Sequence, residues 1–117
     1  MSLQSALFVD DEALQACLID DRAHVALGAS GDHVTKIHSA LVVLDHARIN
    51  IAELRDDLYG PTTAAAVLAY KRKRQIINPS YQTKADDIVG KMTIAAMDRE
   101  MLAAEHREAQ RAVPPDE

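Results

Sequence analysis

Asp56-Asp57-Leu58-Tyr59-Gly60-Pro61-Thr62-Thr63-Ala64-Ala65-Ala66 is followed thirty positions later by Asp86-Asp87-Ile88-Val89-Gly90-Lys91-Met92-Thr93-Ile94-Ala95-Ala96. Both copies share an acidic pair, two apolar residues, a glycine, a threonine three positions on and an Ala-Ala pair. The pattern reads as a helix-starting device used twice. The apolar pair docks the incoming chain, and the glycine is expected to take a backbone conformation that side chains disfavour. The acidic pair sits near the positive end of the new helix, and the threonine returns its hydroxyl to the backbone in the first turn.

Working outward, the apolar spacing is helical almost throughout. Proline after Gly60 suits a first helical position, because its missing N–H would have no partner there. The helix it opens turns Thr63, Ala66, Val67 and Tyr70 inward and finishes on Lys71 to Arg74 and Gln75. After Gly90 a last helix follows with Ile94, Met97, Met101 and Ala104 inward, fraying into a charged tail at Pro114-Pro115. Upstream, Val34, Ile37, Leu41 and Leu44 fall on one face of a helix capped by Asp32. Before that, Asp10 or Asp11 caps a first helix carrying Leu14, Cys17 and Leu18, which runs out between Asp20 and Arg22. Residues 45–59 are expected to be loop with a helical turn near Ala52 to Arg55. Residues 76–87 are expected to be a longer loop, with turn chemistry at Asn78-Pro79-Ser80.

Composition bounds the function. The chain has 117 residues, 48% of them hydrophobic and 26% charged, which suits one globular domain and a short appendage. No apolar run approaches the roughly 20 residues needed to span a bilayer. Asp10, Asp11 and Glu12 interrupt the place where a secretory leader needs its apolar core, so Sec-type export is not expected from these residues. A net charge of −5 gains nothing overall from counterion release, which disfavours nucleic acid as a partner. Phe8, Tyr59, Tyr70, Tyr81 and no tryptophan leave little surface for stacking on bases or sugar rings. Cys17, the single cysteine, reads as a small apolar core residue.

Three short patterns carry a resemblance. Gly28-x-x-Gly31-x-x-Val34-x-x-Ile37-His38-x-x-Leu41 looks like the opening of the peptidoglycan-binding domain family. Tyr59-Gly60-Pro61-x-Thr63-x-x-Ala66-Val67-x-x-Tyr70-Lys71 resembles its middle signature, and Asp87-Ile88-Val89-Gly90-x-x-Thr93 is similar to its closing one. The match runs in order from about Leu27 to Met97. It departs from the family at His38 and Lys71, where glutamine is usual, and at Asp57 and Asp87, where glycine is usual. The segment Ile76 to Ala85 is also longer than the usual connection.

The fold expected from this resemblance is all-α, a small three-helix bundle with an extra N-terminal helix. Residues 1–26 would form a helical extension, 27–100 the peptidoglycan-binding-like domain, and 101–117 the end of the last helix and the tail. The implied function is non-catalytic recognition of peptidoglycan or muropeptide, through its peptide stems because aromatics are scarce. His38, Tyr59, Thr63, Tyr70 and Lys71 are the candidate binding residues. The alternative is a protein-interaction adaptor in an envelope-associated or secretion assembly, after cytoplasmic synthesis and delivery by a route other than Sec.

Other chemistry finds less support. Leu7-Phe8-Val9-Asp10-Asp11-Glu12 resembles the first strand and acidic pair of a phospho-receiver, but Arg48 to Asp56 supplies no second strand ending in an acceptor. Histidines 24, 33, 38, 46 and 106 lack metal-ligand spacing, and no Ser/His/Asp or Cys/His arrangement stands out, so neither metal, cofactor nor catalysis is expected. The acidic pairs read as caps rather than a catalytic dyad. Lys71-Arg72-Lys73-Arg74 reads as a solvated face complementing the helix dipole, or as a handle for an anionic partner.

Overall fold

A computed structural model describes residues 2–77 and 84–112. Asn78-Pro79-Ser80, Tyr81 and the Pro114-Pro115 ending lie outside the described residues. Five α-helices appear in order: α1 (Glu12–Ile19), α2 (Asp32–Asp45), α3 (Ile51–Arg55), α4 (Pro61–Arg74) and α5 (Lys91–Ala112). A 3-10 turn at Asp21–Ala23 follows α1. Among the described residues there is no strand, only two isolated antiparallel bridges. The all-α reading holds. Leu7 to Asp10, from the Leu7–Glu12 stretch of the receiver reading, are turn, with Phe8 N donating to the Ser5 carbonyl at 3.1 Å, and Glu12 already opens α1.

The duplicated motif works by backbone pairing. Val25 exchanges hydrogen bonds with Val89 at 2.9 and 2.8 Å, Gly28 N donates to Tyr59 O at 2.8 Å, and Tyr59 N donates to Ala29 O at 2.8 Å. One short segment ahead of α2 thus clamps the starts of both α4 and α5. The second apolar residue of each copy, Tyr59 and Val89, is fully buried there. Satisfying these backbone groups inside the protein is what lets the non-helical joints sit in the core.

The helical faces pack one core. Val34, Ile37 and Leu41 of α2, Val67 and Tyr70 of α4, and Ile94 and Met97 of α5 join Leu14 and Cys17 of α1 in a single buried cluster. Leu44 and Ala66 pack only partly buried against it. The Cys17 thiol approaches Val89 O at 3.4 Å, and burial pushes its pKa up to about 11, which keeps it an inert apolar group.

The N-terminal residues are held by α5. Gln4 N and Ser5 N donate to the Asp98 carboxylate at 2.8–3.0 Å, and Ala6 N and Leu7 N donate to Glu105 at 2.8 and 3.1 Å. Nothing local in the sequence signals this clasp. It draws Leu3 and Phe8 into the core.

Several local expectations change. Asp11 is the cap of α1, accepting from Leu14 N at 3.0 Å. Its own burial pushes the carboxyl pKa up, but that hydrogen bond and Lys36 bring it below the usual value. The cap of α2 is Gly31 at φ +125°, with Asp32 already inside the helix. Gly60 and Gly90 do not take the disfavoured conformation: Gly60 has φ −100°, and positive φ among glycines occurs at Gly28 and Gly31. Gly60 is required for space instead, since a Cβ there would lie 2.5 Å from Glu53 Cδ. Asp57, where the resembled family has glycine, has φ +53°, a conformation aspartate tolerates better than most residues.

Candidate functional site

The five residues singled out in the sequence are interior. His38 is 3% exposed, Lys71 5%, and Tyr59, Thr63 and Tyr70 are 0% exposed. Three of them do not meet one another through any hydrogen bond; only His38 and Thr63 are joined directly. Each is committed to an internal partner.

His38 and Thr63 belong to a chain that ends on Glu53. His38 Nε2 lies 3.1 Å from Leu58 O and 2.8 Å from Thr63 Oγ1. A carbonyl can only accept, so Nε2 carries the proton. Thr63 therefore accepts from His38 and donates its own hydroxyl hydrogen bond to Glu53 Oε1 at 2.7 Å. That polarity is the reverse of a nucleophile–base pair, in which the imidazole would take the hydroxyl proton. His38 Nδ1 is buried without a partner, and burial lowers the pKa of the ring, although the Leu58 carbonyl and the charges of Glu53 and Asp57 oppose this.

Glu53 is the residue that sequence reasoning missed. Its carboxylate accepts from Thr62 N at 3.0 Å, Thr63 N at 2.9 Å and both threonine hydroxyls at 2.7 Å. Burial alone pushes the carboxyl pKa up, but these donors overcome it and bring the value down to about 2. Glu53 thus fills the positive start of α4, the role expected of Asp56-Asp57. Asp56 is exposed, and Asp57 instead accepts from Thr35 Oγ1 at 2.6 Å. The acidic pairs cap neither α4 nor α5 among the described residues. Glu53 stands three positions after Asn50, a spacing that suggests only a cap on α3's own start. No local rule points it forward to α4.

The aromatic and basic candidates brace the bundle. The Tyr59 hydroxyl donates to Asp87 O, and burial with the nearby Asp87 and Asp86 charges raises its pKa. Tyr70 OH donates to Glu100 at 3.2 Å, and its pKa is raised by burial and by Glu100. Arg74 sits 3.6 Å over the Tyr70 ring and makes paired contacts with Asp45 (2.9 and 3.1 Å) and Glu100 (both 2.7 Å). Lys71 donates to Asp86 Oδ1 at 2.5 Å and to Ile88 O at 2.8 Å, tying α4 to the α5 entrance. Only Arg72 and Lys73 of the basic run form the exposed face expected of all four.

Open surface lies beside these residues. A groove of about 550 Å³ runs along α4, floored by Pro61, Ala65, Ala66 and Ala69 and bordered by Asp45, Ala47, Arg48 and Lys73. Arg48 is exposed and has no ion-pair partner among the described residues. A second cleft, of about 420 Å³, opens at the start of α5. Among the described residues no group of three His, Cys, Asp or Glu could hold a metal, and no helix is long and apolar enough to cross a membrane. Comparison of the chain with protein-family models, with curated proteins and with solved structures finds no significant match.

Proposed function

We propose that this chain is a non-catalytic binding module for bacterial cell-wall peptidoglycan, contacting peptide stems through the groove along α4. The supporting observation is where the three family-like signatures fall. They coincide with the starts of α2, α4 and α5, and the segment from Val25 to Gly31 pairs with both later starts. On this reading α2, α4 and α5 form the three-helix unit of the peptidoglycan-binding type, and α1 is the addition.

His38, Tyr59, Thr63, Tyr70 and Lys71 then shape the module from inside, and contact passes to the surface they support. Phe8, Tyr59 and Tyr70 are all 0% exposed, so none of the described phenylalanine or tyrosine rings offers a platform for sugar stacking. The groove suits peptide instead. Its alanine floor admits small methyl side chains, and Arg48 and Lys73 at the rim suit carboxylates.

Sedimentation with insoluble wall sacculi tests the reading. The protein is expected to pellet, and Ala69→Glu, which fills an exposed groove position, is expected to leave it in the supernatant with unchanged circular dichroism. Failure of the parent protein to pellet sinks wall binding; pelleting unaffected by the substitution sinks the groove. Muropeptide hydrolysis by the isolated chain would overturn the non-catalytic role. The adaptor reading draws on Val42, Val43 and Ile51, at 42%, 51% and 77% exposure, apolar surface suited to a protein partner. Retention by a protein from an envelope or secretion assembly, without pelleting, would favour it.

A further inference from the structure

The two copies of the duplicated motif end in helix starts whose donors are used differently. At α4 a carboxylate from the same chain, Glu53, accepts from the amides of Thr62 and Thr63 and from the Thr63 hydroxyl, at 3.0, 2.9 and 2.7 Å. Thirty positions on, the corresponding donors are the amides of Met92 and Thr93 and the Thr93 hydroxyl. No described group accepts from any of the three. Thr93 is nonetheless 1% exposed, and it lines the cleft of about 420 Å³ with Gly90, Lys91 and Met92. An unpartnered hydroxyl on a buried residue, facing a cleft beside free helix-start amides, is a set of donors awaiting an acceptor.

We infer that the start of α5 is a binding site for a peptide-like carboxylate, received as α4 receives Glu53. The cleft's charges allow it. Its two acids are each matched by a lysine: Asp86 by Lys71, and Asp21 by Lys91 at 3.5 Å. The second pair is exposed, 43% for Lys91 and 80% for Asp21, so it is weak and Lys91 is available to turn toward an incoming anion. Ile76, Ile77 and Met92 give the same cleft apolar wall for the residue that bears the carboxylate. A free amino terminus is not required, and the site is independent of whether the α4 groove binds wall material.

Titration of isotope-labelled protein with N-acetylalanine, the smallest probe of a peptide C-terminus, tests this. Saturable shifts are expected at the amides of Lys91, Met92 and Thr93, with N-acetylalanine amide and inorganic phosphate each binding at least 10-fold more weakly. Thr93→Val is expected to weaken N-acetylalanine about 10-fold, the loss typical of one charge-assisted hydrogen bond. Absent or non-saturating shifts overturn the inference, as does equal response to the amide or to phosphate. Because the acid–amide–phosphate comparison is made on the parent protein, it decides the matter even if the variant fails to fold.

Discussion

The starts of α4 and α5 share a sequence pattern but differ in their surroundings. Each follows two apolar residues, the second buried and backbone-paired to the segment between Val25 and Gly31. Yet the α4 start is closed by Glu53 and buttressed by His38, whereas the α5 start opens on a cleft. The lesson is that a repeated local motif fixes how a helix begins, and the loop that happens to pass in front of it fixes whether that beginning is structural or available. The connection from Asp45 to Gly60 carries α3 and, with it, a carboxylate in reach of α4.

The sharpest way to break the comparison is at Glu53. Glu53→Gln removes the charge and turns an amide donor toward donors already present. It is expected to cost about 3 kcal/mol in chemical denaturation, the loss of charge-assisted bonds in a buried site. The same residue predicts a pH dependence. Its carboxyl pKa is lowered from 4.5 to about 2 on folding, so its stabilisation is complete above 4.5 and lost as pH falls toward 2. His38, whose pKa is also lowered on folding, adds a loss in the same direction that begins as pH drops through 6.5. Denaturation midpoints followed from pH 7 to 3 should fall steeply in the parent and less steeply in Glu53→Gln. Parallel profiles would show that Glu53 is not the group responsible.

Matched threonine substitutions come next. Thr63→Val removes the hydroxyl that links His38 Nε2 to Glu53 Oε1, leaving Nε2 only the Leu58 carbonyl and Oε1 only the residue-63 amide, and is expected to cost about 2 kcal/mol. Thr93→Val removes a hydroxyl with no partner among the described residues and is expected to stay within about 0.5 kcal/mol of the parent. Equal costs at the two positions would erase the distinction between the closed and open starts.

The smallest contrast is at the glycines. Gly60→Ala drives a Cβ to 2.5 Å from a side chain held by four hydrogen bonds and is expected to destabilise by about 1–2 kcal/mol. Gly90→Ala meets nothing within 4 Å and is expected to be neutral or stabilising by a few tenths of a kcal/mol. Thermal melts of the pair read both values, and a costly Gly90→Ala would mean the α5 start is more crowded than the cleft implies.

Much of the scaffold was legible because it depends on local periodicity. The inward positions Val34, Ile37 and Leu41, or Ile94, Met97 and Met101, follow from helical spacing alone, whereas α3 was legible only as a helical turn within a loop, since its one buried residue is Glu53. The candidate site was less legible. Polar and aromatic residues near a motif look alike in sequence whether they face a ligand or the core. Tyr59 and Tyr70 read in sequence as candidates for ligand contact, and in the fold each is buried with its hydroxyl on an internal acceptor. Lys71 and Arg74 read as charged surface, but each found acidic partners brought from distant segments, Asp86 for one and Asp45 and Glu100 for the other.

From the sequence alone came the all-α class, the approximate limits of four helices with a helical turn between the second and third, and the duplication that starts two of them, because capping and periodicity act over a few residues. Tertiary structure alone decided that Glu53 closes α4, that Asp98 and Glu105 hold the N-terminal segment, and that Thr93 faces an open cleft. Those outcomes depend on which loop delivers which carboxylate to which free amide, and that is set by the path of the chain through space.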